Sequence, residues 1–254
     1  MPVNFKDVFA RTTYPSGETH LKKIVLGDGL GTIRADVRNF NDLCDVVVAN
    51  RLMKRIYNDV EIEWYIPYFP FARDDRRSTP NDGFELELAL DLVRRENLNV
   101  VILDPHSDVA GQLPHITQAS VVARFRSVGF ILPTDLFVIP DAGATKKAYT
   151  WLGRNDYVQG LKQRDTATGK LSNFQLLDAD KVKGRDCVIV DDICDAGGTF
   201  LGLAKLLREN GAAKLTLVVS HGLFTKGREV LSPAFDHVYA ASDNYDFFPH
   251  YPRY

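Results

Sequence analysis

Three short apolar runs in this chain end on an aspartate. Residues 100–103 stop at Asp104, residues 136–139 lead through Pro140 to Asp141, and residues 187–190, which follow Asp186, stop at Asp191. Apolar runs of this length without alternating polar positions fit strands covered on both faces, the condition of a parallel sheet between helices. Helical patterns flank the first and last of them, over residues 85–96 and over 199–210, where Gly211 supplies the stop. A further helix is expected through Tyr57, capped by Asn39 or Asn41, with Leu43, Val46, Val47, Asn50, Leu52 and Ile56 inward. Another is expected over 145–152, and further strands at 61–66, 215–219 and 238–241. The alternation predicts an α/β fold of two parallel-sheet halves with helices on both faces, residues 1–125 and 126–254. In open sheets of this kind the ligand sits beyond the carboxyl ends of the strands, so Asp104, Asp141 and Asp191 are expected to converge on one crevice.

Gly27-Asp28-Gly29, between residues 19–26 and 32–37, reads as the turn of a β-hairpin. Its glycines lack the spacing of a dinucleotide loop. The formal net charge of −2 offers no basic excess for holding a nucleic acid backbone, so an anionic substrate needs a local site. Cys44, Cys187 and Cys194 form no ligand pair for zinc, which fits a reduced protein. No leader pattern or membrane-length apolar stretch is present, and a cytoplasmic protein without membrane contact is expected.

Residues 186–199 read DCVIVDDICDAGGT. Physically this is a strand, an acid pair, a glycine loop and a helix start. The N–H groups of Asp195, Ala196, Gly197, Gly198 and Thr199 make a phosphate cradle at the positive end of the helix dipole. Asp191 and Asp192 repel an anion, yet suit the two neighbouring hydroxyls of a ribose. The segment resembles the PRPP-binding signature shared by type I phosphoribosyltransferases and PRPP synthetases. Two more segments resemble the synthetases alone. PYFPFARDDRR, residues 67–77, is similar to their ATP-binding loop, and LDPHSDVAGQL, residues 103–113, to the loop that carries their histidine. The chain is thereby identified as a member of the PRPP synthetase family, with two phosphoribosyltransferase-like halves.

The resemblance implies a pyrophosphokinase that moves the β,γ-diphosphate of ATP to the C1 hydroxyl of ribose 5-phosphate, giving PRPP and AMP. It implies ATP contacts from Arg73, Asp74, Asp75, Arg76 and His106, and from Tyr14 and Glu18 in a loop that crosses to a neighbouring subunit. Magnesium would be held by His106 and Asp141. Lys162 and Arg164 would form the catalytic basic pair, with residues 163–171, which contain Gly169, as a closing loop. A homo-oligomer, a dimer or higher, is implied as well.

Several positions depart from the family pattern. Asp74 stands where glutamine is usual, Ser16 where aspartate is usual, and Ala196 where threonine is usual. The chain ends on the aromatic residues 245–254, short of a typical member. The short form resembles homologues that accompany NAD salvage enzymes in phages and bacteria, which raises ADP-ribose as an alternative acceptor. A type I phosphoribosyltransferase and a non-catalytic regulator are the readings from other classes.

Overall fold

The computed structural model describes residues 3–24, 31–58, 60–77, 79–116, 118–141, 143–145, 157–164 and 171–243, apart from the side chains of 118–119, 162–164 and 171–174. The chain forms two compact units, divided between Ile116 and Thr117. The division falls before the helix Gln118–Ser127.

In chain order the first unit holds β1 (Val3–Asn4), α1 (Phe5–Val8), β2 (Phe9–Thr13), β3 (Thr19–Lys23), β4 (Thr32–Arg34), α2 (Phe40–Ile56), β5 (Glu63–Ile66), α3 (Glu85–Arg95), β6 (Asn99–Leu103) and β7 (His115–Ile116). The second holds α4 (Gln118–Ser127), β8 (Leu136–Ile139), β9 (Tyr157–Arg164), β10 (Leu171–Leu177), β11 (Asp186–Cys194), α5 (Gly198–Glu209), β12 (Lys214–Gly222) and β13 (His237–Ala240).

The first sheet has the order β1-β4-β5-β6-β7 and is parallel throughout. Its core is built from Ile33, Trp64, Ile66 and Ile102 on strands and Leu43, Val46, Met53, Leu86 and Leu90 on helices, all buried. Each such side chain contributes about 1.5–3 kcal/mol on leaving water. Asn39 caps α2, its side chain accepting from the Asp42 N–H at 3.1 Å. The inward face of α2 includes Met53, which the sequence pattern does not single out, whereas Ile56 is exposed in the last turn.

The hairpin is not the one expected. Residues 19–23 pair antiparallel with β2, and residues 32–34 join the parallel sheet between β1 and β5. The turn that closes β2 onto β3 is Tyr14-Pro15-Ser16-Gly17-Glu18, where Gly17 takes φ 89 and Tyr14 N–H bonds Glu18 O at 2.8 Å. Gly17 supplies the left-handed residue that a short hairpin loop requires. Gly27-Asp28-Gly29 lies outside the described residues.

The second sheet has the order β10-β9-β8-β11-β12-β13. Five strands are parallel, but β10 runs antiparallel to β9, so this half is mixed rather than purely parallel. Cys187, Val188, Ile189 and Val190 at its centre are buried, as are Phe200, Leu203, Ala204 and Leu207 on α5. The strand carrying the acid pair does not stop at Asp191. It continues to Cys194, because β12 offers a partner as far as Gly222. Of the helix expected over 145–152, only its beginning is described.

Candidate functional site

Chain order in the second sheet creates a crevice. From β8 the chain moves to one side to form β9 and β10, then returns across β8 to place β11, β12 and β13 on the other. Loops leaving β8 and β11 therefore depart in opposite senses, and the carboxyl ends of these two strands form a topological switch point. Asp141 follows β8, and Asp191 and Asp192 lie near the end of β11.

Asp141 is fixed by its own turn, its Oδ1 accepting the Ala144 N–H at 3.1 Å. Asp191 turns back on the strand end and accepts the Asp192 N–H at 2.9 Å. Burial raises the Asp191 carboxyl well above the ordinary carboxylate range, and the neighbouring charges of Asp192 and, more weakly, Asp141 push the same way. Three acids thus share one strand-end region, and a ligand that donates hydrogen bonds or brings a cation relieves their repulsion. Gly160 lets β9 pass beside them, since a Cβ there would meet Pro140 O at 2.7 Å.

The loop beyond the acids is shaped for an anion. Gly197, at φ 80 and ψ −4, starts α5 in the left-handed region, and no side chain caps the helix. A Cβ at Gly197 would sit 2.9 Å from Leu231 Cδ2, so both conformation and space call for glycine. Asp195, Ala196 and Thr199 are half-buried, and Gly198 is exposed. Backbone donors at a helix start of this kind are a geometry that an anion can use.

In the first unit the loop at 67–77 leaves the carboxyl end of β5 and the loop after Leu103 leaves that of β6, its parallel neighbour. They are tied at the root, Leu103 N–H donating to Pro67 O at 3.0 Å. The 67–77 run is not a solvated charge stretch. Phe69 and Ala72 are buried, and Phe71 stacks on Phe40 at 4.5 Å between ring centroids. From that anchor Arg73, Asp74 and Arg76 project into solvent, with Asp75 half-buried. Two arginine forks on a fixed loop suit phosphate oxygens. Asp104 is buried at φ 34, its N–H bound to Ile116 O at 2.7 Å, and His106 is exposed two residues on.

Among the described non-glycine residues at positive φ, four are Asn or Asp, which tolerate it. The other two are Phe71 at φ 65 and Phe224 at φ 43. One lies in the arginine loop, and the other is in the turn against the Asp195 loop. Strained backbone held in place by packing is characteristic of ligand loops.

Some predicted residues are placed differently. Asp104 and His106 belong to the first unit, Asp141 and Asp191 to the second. Lys162 and Arg164 are on strand β9, opposite Phe174 and Leu171 of β10, so the basic pair sits on a hairpin arm rather than in a loop. Their side chains and residues 165–170 lie outside the description. Tyr14 and Glu18 close the β2–β3 turn, with Tyr14 half exposed and Glu18 accepting from Ser16 Oγ at 3.0 Å. Among the described residues no three metal-ligating side chains, the three acids included, are grouped so as to hold one metal ion. A cleft at the end of β4, lined by Phe5, Phe9, Arg11, Asp42, Asp45 and Val46, contains none of the predicted residues. Its Arg11 is already paired with Asp42 and Asp45 at 3.4 and 3.2 Å.

Residues 153–244 match the phosphoribosyl transferase domain family, which covers the switch-point sheet from before β9 onward. The chain is 27% identical over 224 residues to a ribose-phosphate pyrophosphokinase of Mycoplasmopsis pulmonis, an alignment covering 84% of this chain and 69% of that protein. A protein of the same name from Ureaplasma parvum is 30% identical over 201 residues, covering 76% and 60%. The chain is similar to ribose-phosphate pyrophosphokinases over most of its length.

The fold agrees. The crystal structure of phosphoribosylpyrophosphate synthetase from Mycobacterium smegmatis superposes with a TM-score of 0.67 at 22% identity, covering 86% of this chain and 76% of that one. The relatives are by name enzymes of the pyrophosphokinase type, and in this chain the segment similar to the synthetase loop, 67–77, lies in one unit and the segment similar to the PRPP signature in the other. No helix among the described residues is long and apolar enough to cross a membrane. Sequence reasoning missed the β9–β10 hairpin, whose residues 157–164 alternate only weakly, and it missed Phe40, which carries no polar signal of its role.

Proposed function

We propose that this chain transfers the β,γ-diphosphate of ATP as one piece to the C1 hydroxyl of ribose 5-phosphate. The observation that carries the reading is the Asp191–Thr199 turn, in which clustered carboxylates lead into a bare helix start. A ribose with vicinal hydroxyls and a 5-phosphate matches both parts at once. The anchored arginine loop at 67–77 favours a nucleotide donor over the phosphoribosyltransferase alternative. The relatives' name, ribose-phosphate pyrophosphokinase, supports the same acceptor and lends no support to ADP-ribose.

In this reading the C1 hydroxyl oxygen bonds to the β-phosphorus. The bond from that phosphorus to the α,β-bridging oxygen breaks, AMP leaves with the bridging oxygen, and the hydroxyl proton passes to solvent. The protein mainly positions and neutralises. Asp191 and Asp192 accept from the ribose hydroxyls, and the N–H groups of Gly197, Gly198 and Thr199 hold the 5-phosphate. Arg73 and Arg76 receive the ATP phosphates, with Asp74, Asp75, Tyr14 and Glu18 on the nucleoside side. Lys162 and Arg164 stabilise charge on the transferring group.

Magnesium, when bound, screens phosphate charge and polarises the β-phosphorus. Asp141, a hard oxygen donor, fits such an ion. The imidazole of His106 suits it less and is better placed to donate to a phosphate oxygen. With so few side-chain donors gathered, most ligands would be phosphate oxygens and water.

A mass-resolved assay with ATP and Mg²⁺, offering ribose 5-phosphate and ADP-ribose in parallel, tests the proposal. AMP with a diphosphate mass added to ribose 5-phosphate is expected. A gain on ADP-ribose alone would move the acceptor to the capped sugar, and AMP from neither would overturn the reading.

A further inference from the structure

We infer that Thr225 is a positioning residue, which holds the Asp195 carboxylate aside so that the first N–H groups of α5 stay open to an anion. The inference rests on the reading of residues 195–199 as a phosphate cradle. Thr225 Oγ1 donates to Asp195 Oδ1 at 2.7 Å, and Thr225 N–H donates to Asp195 O at 3.2 Å. One residue thus holds both the side chain and the backbone of Asp195. The preceding residues reinforce it, Leu223 and Phe224 N–H donating to Cys194 O at 2.9 and 3.2 Å.

The segment that carries Thr225 is itself braced. Phe224 sits at φ 43 beneath the Arg228 guanidinium, 4.8 Å from its ring centroid, and Arg228 pairs with Asp243 at 3.0 Å. Leu231 closes on Gly197 from the same stretch of chain. Thr225 therefore has a fixed platform from which to hold its neighbour.

The chemistry explains why a hold is needed. Asp195 lies two residues before the cap position Gly197, and a carboxylate this near a helix start is attracted to its unpaired N–H groups. A capping Asp195 would occupy the donors meant for phosphate and would also repel the anion. In the structure Gly197 stands at the cap position of α5 with no side chain to offer, and the Asp195 carboxylate accepts from Thr225 Oγ1. Neither Asp195 nor the glycines alone secure the cradle, and a residue 30 positions along the chain completes it.

The test compares wild type, Thr225→Val, which keeps the shape and removes the hydroxyl, and Thr225→Ser, which keeps the hydroxyl. Two ligands are titrated, ribose 5-phosphate by turnover and inorganic phosphate by its shift of the melting temperature. Thr225→Val is expected to raise the KM for ribose 5-phosphate by about tenfold, as for the loss of a hydrogen bond to a charged group. The KM for ATP and the ligand-free melting temperature should change little, and Thr225→Ser should stay within about twofold of wild type. Adding Asp195→Asn to Thr225→Val should recover much of the loss, because the repelling charge is gone.

Equal behaviour of the Val and Ser variants would overturn the inference, as would a loss that falls on ATP alike or is not recovered by Asp195→Asn. If wild type shows no turnover with ribose 5-phosphate, the functional reading fails and the phosphate arm still decides. A shift present in wild type and Thr225→Ser but reduced in Thr225→Val upholds the hold on Asp195. The same shift in all three, or none in wild type, overturns it.

Discussion

The two units place their candidate groups at the same part of a parallel sheet, beyond the carboxyl ends of the strands, yet present opposite chemistry. In the first, Arg73, Asp74 and Arg76 stand exposed on a loop that Phe69, Phe71 and Ala72 root in the core. In the second, Asp191 and Asp192 are withdrawn against each other and against Asp141, and burial holds the Asp191 carboxyl above its ordinary range. Exposed cationic forks attract a polyphosphate by charge and give up little hydration before it arrives. Crowded acids are instead a local cost to the fold, offset only when a ligand supplies hydroxyl donors. The contrast matches a donor recognised by charge and an acceptor recognised by hydroxyls.

The largest expected effect breaks the comparison at the transfer step. Lys162→Ala or Arg164→Ala should lower turnover by about 10²–10³-fold while ATP affinity changes little, as for groups that act in the transition state. Wild-type turnover in both would remove the hairpin from the reaction. Next comes a crossed pair. Asp192→Asn should raise the KM for ribose 5-phosphate by about 10- to 100-fold and leave that for ATP near wild type. Arg73→Ala should do the reverse at about tenfold. If each variant weakens both ligands alike, the division of labour between the units is wrong.

A smaller effect concerns stability without ligand. Because the folded-state pKa of Asp191 is raised, its contribution to stability is full below the ordinary carboxylate value of 3.8 and is lost as pH rises through the folded value. Asp191→Asn should therefore melt higher than wild type at neutral pH, by roughly 2–4 °C if the relief is about 1 kcal/mol. The gain should shrink as the pH falls toward 4 in a thermal melt series. A constant gain at all pH values would show that charge is not its cause. The smallest effect tests the anchor of the arginine loop. Phe40→Ala should raise the KM for ATP by about threefold through loss of the Phe71 stack, and Phe40→Tyr should restore it.

Much of this was legible before the structure, for reasons that vary by element. Residues 136–139 are apolar at every position, and the strand there has those bounds. Gly211 and Asn39 mark their helix ends by backbone geometry and capping, which are local effects. Pairing is not local. Residues 19–23 read as a strand, but only the Gly17 turn and the whole sheet determine that the partner is β2 rather than residues 32–34. The extension of β11 through Asp191 and Asp192 was hidden because acids interrupt an apolar run, while β12 supplies hydrogen bonds regardless of side chain. Candidate residues in motifs were found by type and order. Phe40 and Thr225 were not, since each acts through a residue distant in sequence and neither carries a chemical signature of its own.

The most direct test of the central claim is a phosphorus NMR time course of the protein with ATP, Mg²⁺ and ribose 5-phosphate. The account predicts that the ATP signals fall together, that AMP appears in equal amount, and that two coupled diphosphate signals emerge on the sugar. Appearance of ADP would mean that only the γ-phosphoryl group moves, and unchanged ATP would mean that no transfer occurs. Either result would contradict a diphosphate passed in one piece to the ribose C1 oxygen.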